Sequence, residues 1–248
     1  MMTIPTMIFW IASLTTVISA NAFVSGAWRF EDKSAEDFLV QAKEAMRQGR
    51  YRIAAEAASR AIELKADLAE AYLVRGRARQ QMGQLNDAVA DFDRLIKLNA
   101  SAGAHLARGE CYASLDRHSD AIADFDRALA LDSRAIAAYH SRGRELFKMS
   151  QIDKSIADFD RFIEFAPEHE NACWERGLSR YYAGQFRQAQ KSFEDYHKVG
   201  PDDTENDLWR MLSQAEVDGL AEAQKVLKTL HARRGGIFPP MYDLYTGK

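Results

Sequence analysis

Three copies of an Asp-Phe-Asp-Arg segment contain the residues of this sequence that come nearest to catalytic chemistry. Their carboxylates occur in pairs two residues apart, such as Asp91 and Asp93. Paired carboxylates can act as general acid and base when their environments separate their pKa values. Side chains two residues apart on a helix diverge, however, and an arginine three residues after each first aspartate offers a helical ion pair. We therefore interpret these residues as solvated structural pairs, which join Asp91 to Arg94, Asp124 to Arg127 and Asp158 to Arg161.

The histidines do not form a pattern that would bind a metal. They are scattered, no two stand at the helical spacing of metal ligands, and no cysteine lies near one. The sequence has no glycine-rich phosphate loop, and no nucleophile is placed beside a base. The sequence therefore predicts a protein that is not an enzyme and that has no cofactor and no metal. The six histidines are His105, His118, His140, His169, His197 and His231.

The elements that carry these residues repeat along the chain at a fixed period. The phenylalanines of successive copies are 33, 34 and 34 residues apart, at Phe92, Phe125, Phe159 and Phe193. A constant period of this length is typical of proteins built from stacked structural repeats. The sequence therefore predicts one elongated stack rather than separate globular domains.

Each repeat reads as a helix, a short turn and a second helix. In the first clear copy, the helices are predicted at Ala69–Met82 and Gln84–Leu98. A glycine inside a helix costs about 1 kcal/mol relative to alanine, so we expect a close helix crossing that places Gly76 against Ala88. The phenylalanine is expected to be the buried anchor, and the repeated arginine to contact carboxylates of the same or the next unit. The Arg-Gly pairs begin at Arg75, Arg108, Arg142 and Arg176, and the turn residues are Gly83, Asp116, Ser150 and Gly184.

The spaced aromatic, Gly, Ala, Phe and Pro positions resemble the tetratricopeptide repeat family. In two successive units they are Tyr139, Gly143, Ser155, Phe159, Phe162 and Pro167, then Cys173, Gly177, Ala189, Phe193, Tyr196 and Pro201. The resemblance implies an all-α fold, a right-handed α-solenoid of stacked helix-turn-helix units. Units 69–101, 102–135, 136–169 and 170–203 match well. Units 35–68, with Ala58 in place of the Phe, and 204–231, with Met211 in place of the Gly, match less well and complete a solenoid at 35–231.

The resemblance also implies that the first helices line a concave groove that binds a protein or peptide. Aromatic side chains are concentrated in its carboxy-terminal half, and aromatic residues are common anchors of interfaces. Arg144 and Lys148 lie one turn apart and would attract an acidic group. Each aromatic residue can instead fill the core between units, and that alternative stays open. The predicted groove residues are Arg77, His140, Arg144, Phe147, Lys148, Trp174, Tyr181, Tyr182 and Trp209.

The two ends of the chain differ from the repeats. The first 28 residues have no charged side chain, and Ala20-Asn21-Ala22 is a plausible cleavage site. Residues 1–22 are therefore predicted to be a signal peptide or, because residues 4–27 are long enough to cross a bilayer, a membrane anchor. Residues 23–34 are a connector, and 232–248 are a loop and an apolar capping tail. We expect an exported protein, periplasmic or secreted, or one anchored by this segment, similar to bacterial exported and cell-envelope members of the family.

Charge and cysteine content add two expectations. The net charge is -3 with acidic and basic residues mixed, so the chain lacks the basic field of a nucleic-acid-binding protein. Cys111 and Cys173 fall in units that are two apart, too far for a disulfide, and are expected to be free and mostly buried.

Two other functions remain as alternatives to groove binding. The chain can act as an assembly module that docks through its end repeats and its apolar tail. An enzyme or enzyme subunit is the least favoured hypothesis, because no catalytic constellation was found.

Overall fold

The computed structural model describes residues 33–225, which form helices and no strands. A short 3-10 segment, Pro167–Ala172, precedes the helix Trp174–Tyr182, and residues 220–225 are helical again. The helices are α1 Ala35–Arg47, α2 Tyr51–Leu64, α3 Ala69–Gln81, α4 Leu85–Leu98, α5 Ala102–Ser114, α6 His118–Leu131, α7 Ile136–Lys148, α8 Ile152–Phe165, α9 Trp174–Tyr182, α10 Phe186–Val199 and α11 Thr204–Asp218. In the first clear unit, α3 and α4 agree with the predicted helices Ala69–Met82 and Gln84–Leu98 to within one residue.

Consecutive helices pack against each other along the whole described chain. In addition, the first helix of each unit touches the first helix of the next, in the order α1, α3, α5, α7, with α9 touching α11. Packing of this kind stacks the units so that each contacts its neighbours in sequence. The fold is the expected all-α solenoid, and its first helices lie side by side on one surface.

The turns within the units have the same backbone geometry whether or not they contain glycine. Gly83 and Gly184 have φ of 74°, and Asp116 and Ser150 take the same left-handed conformation at 55° and 57°. Asp is among the residues that tolerate this region, whereas Ser does so less readily. The backbone N–H of the next residue closes each turn onto the first helix, as Gln84 does to the carbonyl of Arg79 at 2.9 Å. The turn positions predicted from the repeat are confirmed.

The repeated phenylalanines are the centre of each unit, as predicted, and all four are fully buried. The atoms nearest to the repeated glycine belong to the phenylalanine ring and not to the small residue that the sequence predicts there. Ser155, at the position of Ala88, does contact its glycine, since its hydroxyl donates to the carbonyl of Gly143 at 2.8 Å. A Cβ added to Gly76 would lie 2.7 Å from the ring of Phe92, and one added to Gly109 would lie 2.7 Å from the ring of Phe125. Real Cβ atoms do not approach so closely, so the glycine is required by the aromatic ring. Ala88 is also buried, but the Phe92 ring lies nearer to a Cβ at Gly76.

Replacing Gly109 with alanine is expected to lower the free energy of unfolding by about 1–3 kcal/mol, the usual cost of overpacking. The clash with Phe125 opposes the better helix propensity of alanine. Gly103 of the same helix α5 is the matched control, because a Cβ there would meet no atom within 4 Å. Urea denaturation of both variants checks the prediction. A Gly109→Ala variant as stable as Gly103→Ala would show that the ring moves aside without cost.

The first aspartate of each Asp-Phe-Asp segment is not solvated, and the predicted pairing with the arginine three residues later was wrong. Asp91, Asp124 and Asp158 are 2%, 2% and 5% exposed. Each is bound instead by the repeated arginine sixteen residues earlier, as Arg142 binds Asp158 at 2.7 Å. A carboxylate that leaves water must be paired, and the fork of a guanidinium suits it better than a helical neighbour does.

Two of these arginines also connect neighbouring units, but to the preceding unit and not, as the sequence suggests, to the next one. Arg108 donates to Asp93, and Arg142 donates to Asp126, so that each guanidinium reaches a second aspartate in the preceding unit. We call these repeated contacts between arginines and aspartates the ladder. Its contacts between units are more exposed than those within units, since the side chain of Asp126 keeps 55% of its surface exposed. The repeated Arg therefore joins the two helices of its own unit and the unit before it.

The end units replace the Gly and Phe pair with other combinations. In the first unit Ala42 and Ala58 are both fully buried, and in the last unit Met211 is 1% exposed. The last unit is held to its neighbour by Asn206, whose side-chain amide donates to the carbonyl of Phe193 at 3.1 Å. Ala42 and Met211 stand at the glycine position of the repeat, and Ala58 stands at the phenylalanine position.

Several predicted segments lie outside the described residues. These are the signal peptide or anchor at 1–22, the connector up to residue 32, residues 226–231 of the last unit, and the tail at 232–248. Within 33–225, no helix is long and apolar enough to cross a membrane. At the start of the described part, Ser34 caps α1 and exchanges hydrogen bonds with Asp37.

Candidate partner-binding groove

The first helices of three adjacent units enclose a pocket of about 420 Å³. Gln80 comes from α3, Glu110 and Ser114 from α5, and Arg144 and Lys148 from α7. The pocket is lined mainly by polar and charged side chains, and its walls are the surface that the sequence assigned to the concave groove. Its full lining is Gln80, Glu110, Ala113, Ser114, Phe125, Ser141, Arg144, Glu145 and Lys148.

Four of the predicted groove residues form one aromatic cluster at the carboxy-terminal side of the groove. The rings of Phe147 and Tyr182 are 5.5 Å apart, those of Tyr181 and Tyr182 6.0 Å, and those of Tyr181 and Trp209 5.3 Å. Tyr182 is also 6.0 Å from Trp209. Such edge-to-face and tilted pairs at these separations are favourable. Helices α7, α9 and α11 thus place Phe147, Tyr181, Tyr182 and Trp209 on one continuous surface.

The members of the aromatic cluster are unequally exposed. Tyr182 keeps 58% of its surface, whereas Phe147, Tyr181 and Trp209 are half-buried. Trp209 also stacks on the core ring of Phe193, with centroids 6.4 Å apart. Trp209 therefore connects the cluster to the core, and Tyr182 is its solvent-exposed member.

Two predicted groove residues lie away from this cluster. Trp174 is half-buried at the first residue of α9. His140 lies over the core side chains of its own unit, with its ring 4.8 Å from Phe162 and 5.8 Å from Phe159. Its Nε2 is 3.5 Å from Oε1 of Glu175 in the next unit. Burial favours the neutral form of Glu175, but the hydrogen bond and charge of His140, with the charge of Arg144, outweigh it and lower the pKa of this carboxyl.

The predicted cations of the groove differ in how far they are already paired. Arg77 binds Glu110 at 2.6 Å and so joins α3 to α5. Lys148 binds the buried carboxylate of Glu145 at 2.8 Å, and that carboxylate also lies 2.6 Å from Nδ1 of His118. Arg144 is exposed and makes no ion pair within residues 33–225. Arg144 is therefore the cation of this surface that is most available to a ligand.

The titratable residues of the described chain do not assemble into a metal site. No group of three or more His, Cys, Asp or Glu side chains in residues 33–225 is placed to hold a metal ion. Cys111 and Cys173 are free and buried, as expected. Burial raises the pKa of each thiol to about 11. Both thiols are therefore poor nucleophiles at neutral pH.

Sequence reasoning missed several residues that the fold brings to this region. Ser141 and Glu145 line the pocket, and Phe186 packs on Tyr181 at 5.3 Å. The sequence around Glu145 does not predict its burial, since a carboxylate on a first helix is normally exposed. The fold nevertheless buries it and places it 2.6 Å from His118 of the preceding unit.

These stacked helix pairs, with a groove on the first-helix side, define a helical-repeat solenoid of the kind that serves as a protein-interaction module. Tetratricopeptide repeat family models match the chain at residues 39–80, 73–136 and 136–169. The chain therefore belongs to the tetratricopeptide repeat family. Comparison with curated protein sequences gives no match.

Solved structures show the same fold. The crystal structure of MamA has a TM-score of 0.61 and 23% identity, covering 66% of this chain and 90% of that chain. PilW, described as a type IV pilus biogenesis factor, has a TM-score of 0.66 and 23% identity, covering 80% and 92%. YrrB, described as a TPR protein with an unusual peptide-binding site, has 0.60 and 19%, covering 68% and 88%. At these sequence identities, the structural similarity shows a shared fold and nothing more.

Proposed function

We propose that this protein is a non-enzymatic scaffold that binds a peptide segment of a partner protein along the groove of its first helices. The observation that carries this proposal is the aromatic cluster of Phe147, Tyr181, Tyr182 and Trp209, which has one strongly exposed member above three packed ones. Its family and the peptide-binding site described for YrrB support a peptide or protein ligand.

An apolar anchor of the partner would contact Tyr182 and the exposed edges of its neighbours. Aromatic residues that are already held in place lose little conformational entropy on binding and are frequent hot spots. Tyr181 and Trp209 fix the position of Tyr182 through ring contacts of 6.0 Å each. The cluster therefore acts as a preformed platform.

Arg144 would give the ligand its direction along the groove. It lines the pocket of α3, α5 and α7, and it forms no ion pair in the described chain, although its charge acts on Glu175. Lys148 lies one turn further on but shares its charge with Glu145. An acidic residue of the partner, a few residues from its apolar anchor, would therefore bind at Arg144.

We further propose that the stack works outside the cytoplasm, either exported or held at a membrane by its N-terminal segment. The apolar, uncharged run at residues 4–27 supports this location.

A double variant, Tyr182→Ala with Arg144→Glu, is expected to lose its partner with at least a 30-fold weaker affinity, the effect of removing one hot spot. The matched control is Leu131→Ala, which removes a side chain that is 55% exposed on the second helix α6. Affinity capture from the source cells with residues 23–248, followed by titration of the captured partner, measures the difference. Equal capture by all three proteins would refute the groove and favour docking through the end repeats.

A further inference from the structure

A buried aspartate held by two arginines occurs in the first clear repeat. Arg75 donates through Nε and Nη2 to the carboxylate of Asp91, with the shortest distance at 2.7 Å. Arg79, one turn later on α3, donates to the other oxygen of the same carboxylate, also at 2.7 Å. One carboxylate of the same unit thereby binds both guanidinium groups and offsets one of their two charges.

The last clear repeat keeps both arginines and lacks the aspartate. Arg176 and Arg180 of α9 occupy the repeat positions of Arg75 and Arg79. In both repeats the first arginine lies sixteen residues, and the second twelve residues, before the residue that precedes the core phenylalanine. In the last clear repeat that residue is Ser192, which replaces the aspartate. Ser192 accepts one hydrogen bond from Arg180 at 3.3 Å. A hydroxyl group does not compensate two guanidinium charges.

The remaining contacts of the two arginines are long and lie at the surface. Asp160, a half-exposed residue of α8, is 3.4 Å from Arg176 and 3.0 Å from Arg180. Glu170 is 3.4 Å from Arg176 and is also half-exposed. None of these contacts involves Nε of either arginine. These distances exceed the 2.7 Å found in the first repeat.

The Nε donors of Arg176 and Arg180 are buried and have no hydrogen-bond partner. Arg176 as a whole is only 8% exposed. Burial and the nearby charge of Arg176 lower the pKa of Arg180. Buried charged donors without acceptors are costly and rare in folded proteins. A protein that retains two of them at one point has a site suited to an anion.

The sequence change also makes the surroundings more positive. Where the other three clear repeats have Ala-Asp before the phenylalanine, this repeat has Lys191-Ser192. One negative charge is lost and one positive charge is added. Lys191 is exposed and pairs with Asp195 on its own helix, at 3.1 Å.

We propose that Arg176, Arg180 and Ser192 form an oxyanion-binding site that takes a carboxylate group from outside the chain. The carboxylate would occupy the place that corresponds to that of Asp91 and accept from both Nε donors. The Ser192 hydroxyl donates to the carbonyl of Gln188 at 3.1 Å and so lines the site without donating to the ligand. Two sources share this chemistry: a free small carboxylate and the acidic side chain of a bound polypeptide. The site lies between α8, α9 and α10 and is separate from the aromatic platform of the groove.

The Ser192→Asp variant tests this proposal by returning the carboxylate to the chain. Its melting temperature in sodium chloride is expected to rise by about 2–4 °C, because a domain of this size responds on that scale to one added buried ion pair. Sodium acetate at matched ionic strength and pH should stabilise the wild-type protein more than the variant. An equal response of both proteins to acetate, or a lower melting temperature of the variant in chloride, would overturn the proposal.

The reciprocal variant is Asp91→Ser, which creates the same arrangement in the first repeat. It should lose stability in chloride and recover part of it in acetate, whereas Asp120→Ser, which changes an exposed aspartate of α6, should show no such recovery. If acetate does not restore stability to Asp91→Ser, this would also count against the proposal, since both sites have arginines at the same two repeat positions.

The source of the carboxylate is distinguished with two labelled peptides, a Gly-Ser peptide with one central aspartate and its asparagine counterpart. Tighter binding of the aspartate peptide to wild type, by at least tenfold and lost in Ser192→Asp, assigns the site to a polypeptide side chain. Equal binding of the two peptides, together with an acetate effect confined to wild type, assigns it to a free carboxylate. If the protein shows no preference for the aspartate peptide and no stabilisation by acetate, the site is refuted.

Discussion

Replacing Asp124 with asparagine is expected to lower the free energy of unfolding by about 3 kcal/mol, the lower end of the range for breaking a buried ion pair. The side chain of Asp124 is 3% exposed and accepts two hydrogen bonds from Arg108, each at 2.7 Å. Nδ1 of His105 lies 3.0 Å from the same carboxylate. Asparagine preserves the shape but removes the charge, so Arg108 would be left with Asp93 alone.

Urea denaturation of the full chain measures this loss. Asp120→Asn is the matched control, because Asp120 is on the same helix and pairs with Arg117 at 2.7 Å while both side chains remain about half exposed. Exposed pairs of this kind contribute about 0–1 kcal/mol. Similar small losses for both variants would mean that water reaches Arg108 and that the buried ladder adds little to stability.

The ladder has a consequence for how the repeats differ from one another. Where the aspartate is present, the arginine is used in full to join helices, as at Arg142 and Asp158. Where Ser192 replaces it, the same arginine position retains unused donors. A single substitution in a repeated structural motif is therefore enough to convert an internal ion pair into a site for an external anion, without any change in the helices.

The helices, turns and core were predictable from the sequence because their causes are local or repeated. A ring at Phe92, a glycine at Gly76 and a turn residue at Gly83 recur with the same spacing in the next units, and coincidence does not produce such a register. Asp116 and Ser150 could be assigned to turns only because glycine occupies their position in other copies. The repeat thus supplied information that a single copy would not contain.

The contacts between side chains were less predictable because they join residues far apart in sequence. The spacing of Asp91 and Arg94 suggested a helical ion pair, but the partner is Arg75 on the other helix. The small sizes of Gly76 and Ala88 predict a contact between them, whereas the atoms nearest to Gly76 belong to the Phe92 ring. In both cases the sequence identifies the residues that take part, but the rotation of one helix relative to the other determines which of them meet.

The candidate groove was predictable in part. Helical geometry grouped Phe147, Tyr181, Tyr182 and Trp209, and the structure brings these four together. It did not distinguish them from Trp174 and His140, because a position on a first helix does not say which neighbouring unit a side chain leans toward. The exposure of Tyr182 also depends on the packing of its neighbours, which the sequence does not contain.

Replacing Phe159 with alanine is expected to destabilise the protein by about 3–5 kcal/mol, the cost of emptying a packed aromatic site. Phe159 is fully buried and packs in one cluster with Ile163 of the same helix and with Cys173, the residue that precedes α9. A stack of repeats transmits stability through contacts between neighbouring units. Loss of this central anchor should therefore also separate the units on its two sides, so that unfolding occurs in two steps.

Phe165→Ala is the matched control, because Phe165 lies on the same helix α8, is half-buried, and contacts the ring of Tyr139 at its edge of the unit, with centroids 5.9 Å apart. It should cost less than half as much and leave one transition. Urea denaturation followed by circular dichroism, with tryptophan fluorescence from Trp174 and Trp209 reporting on the carboxy-terminal units, separates the two outcomes. Coincident transitions in Phe159→Ala would show that the solenoid unfolds as one cooperative block, with stability shared beyond nearest neighbours. Equal losses in the two variants would show that the unit repacks around the missing ring, and the repeated Gly and Phe pair would then serve spacing rather than stability.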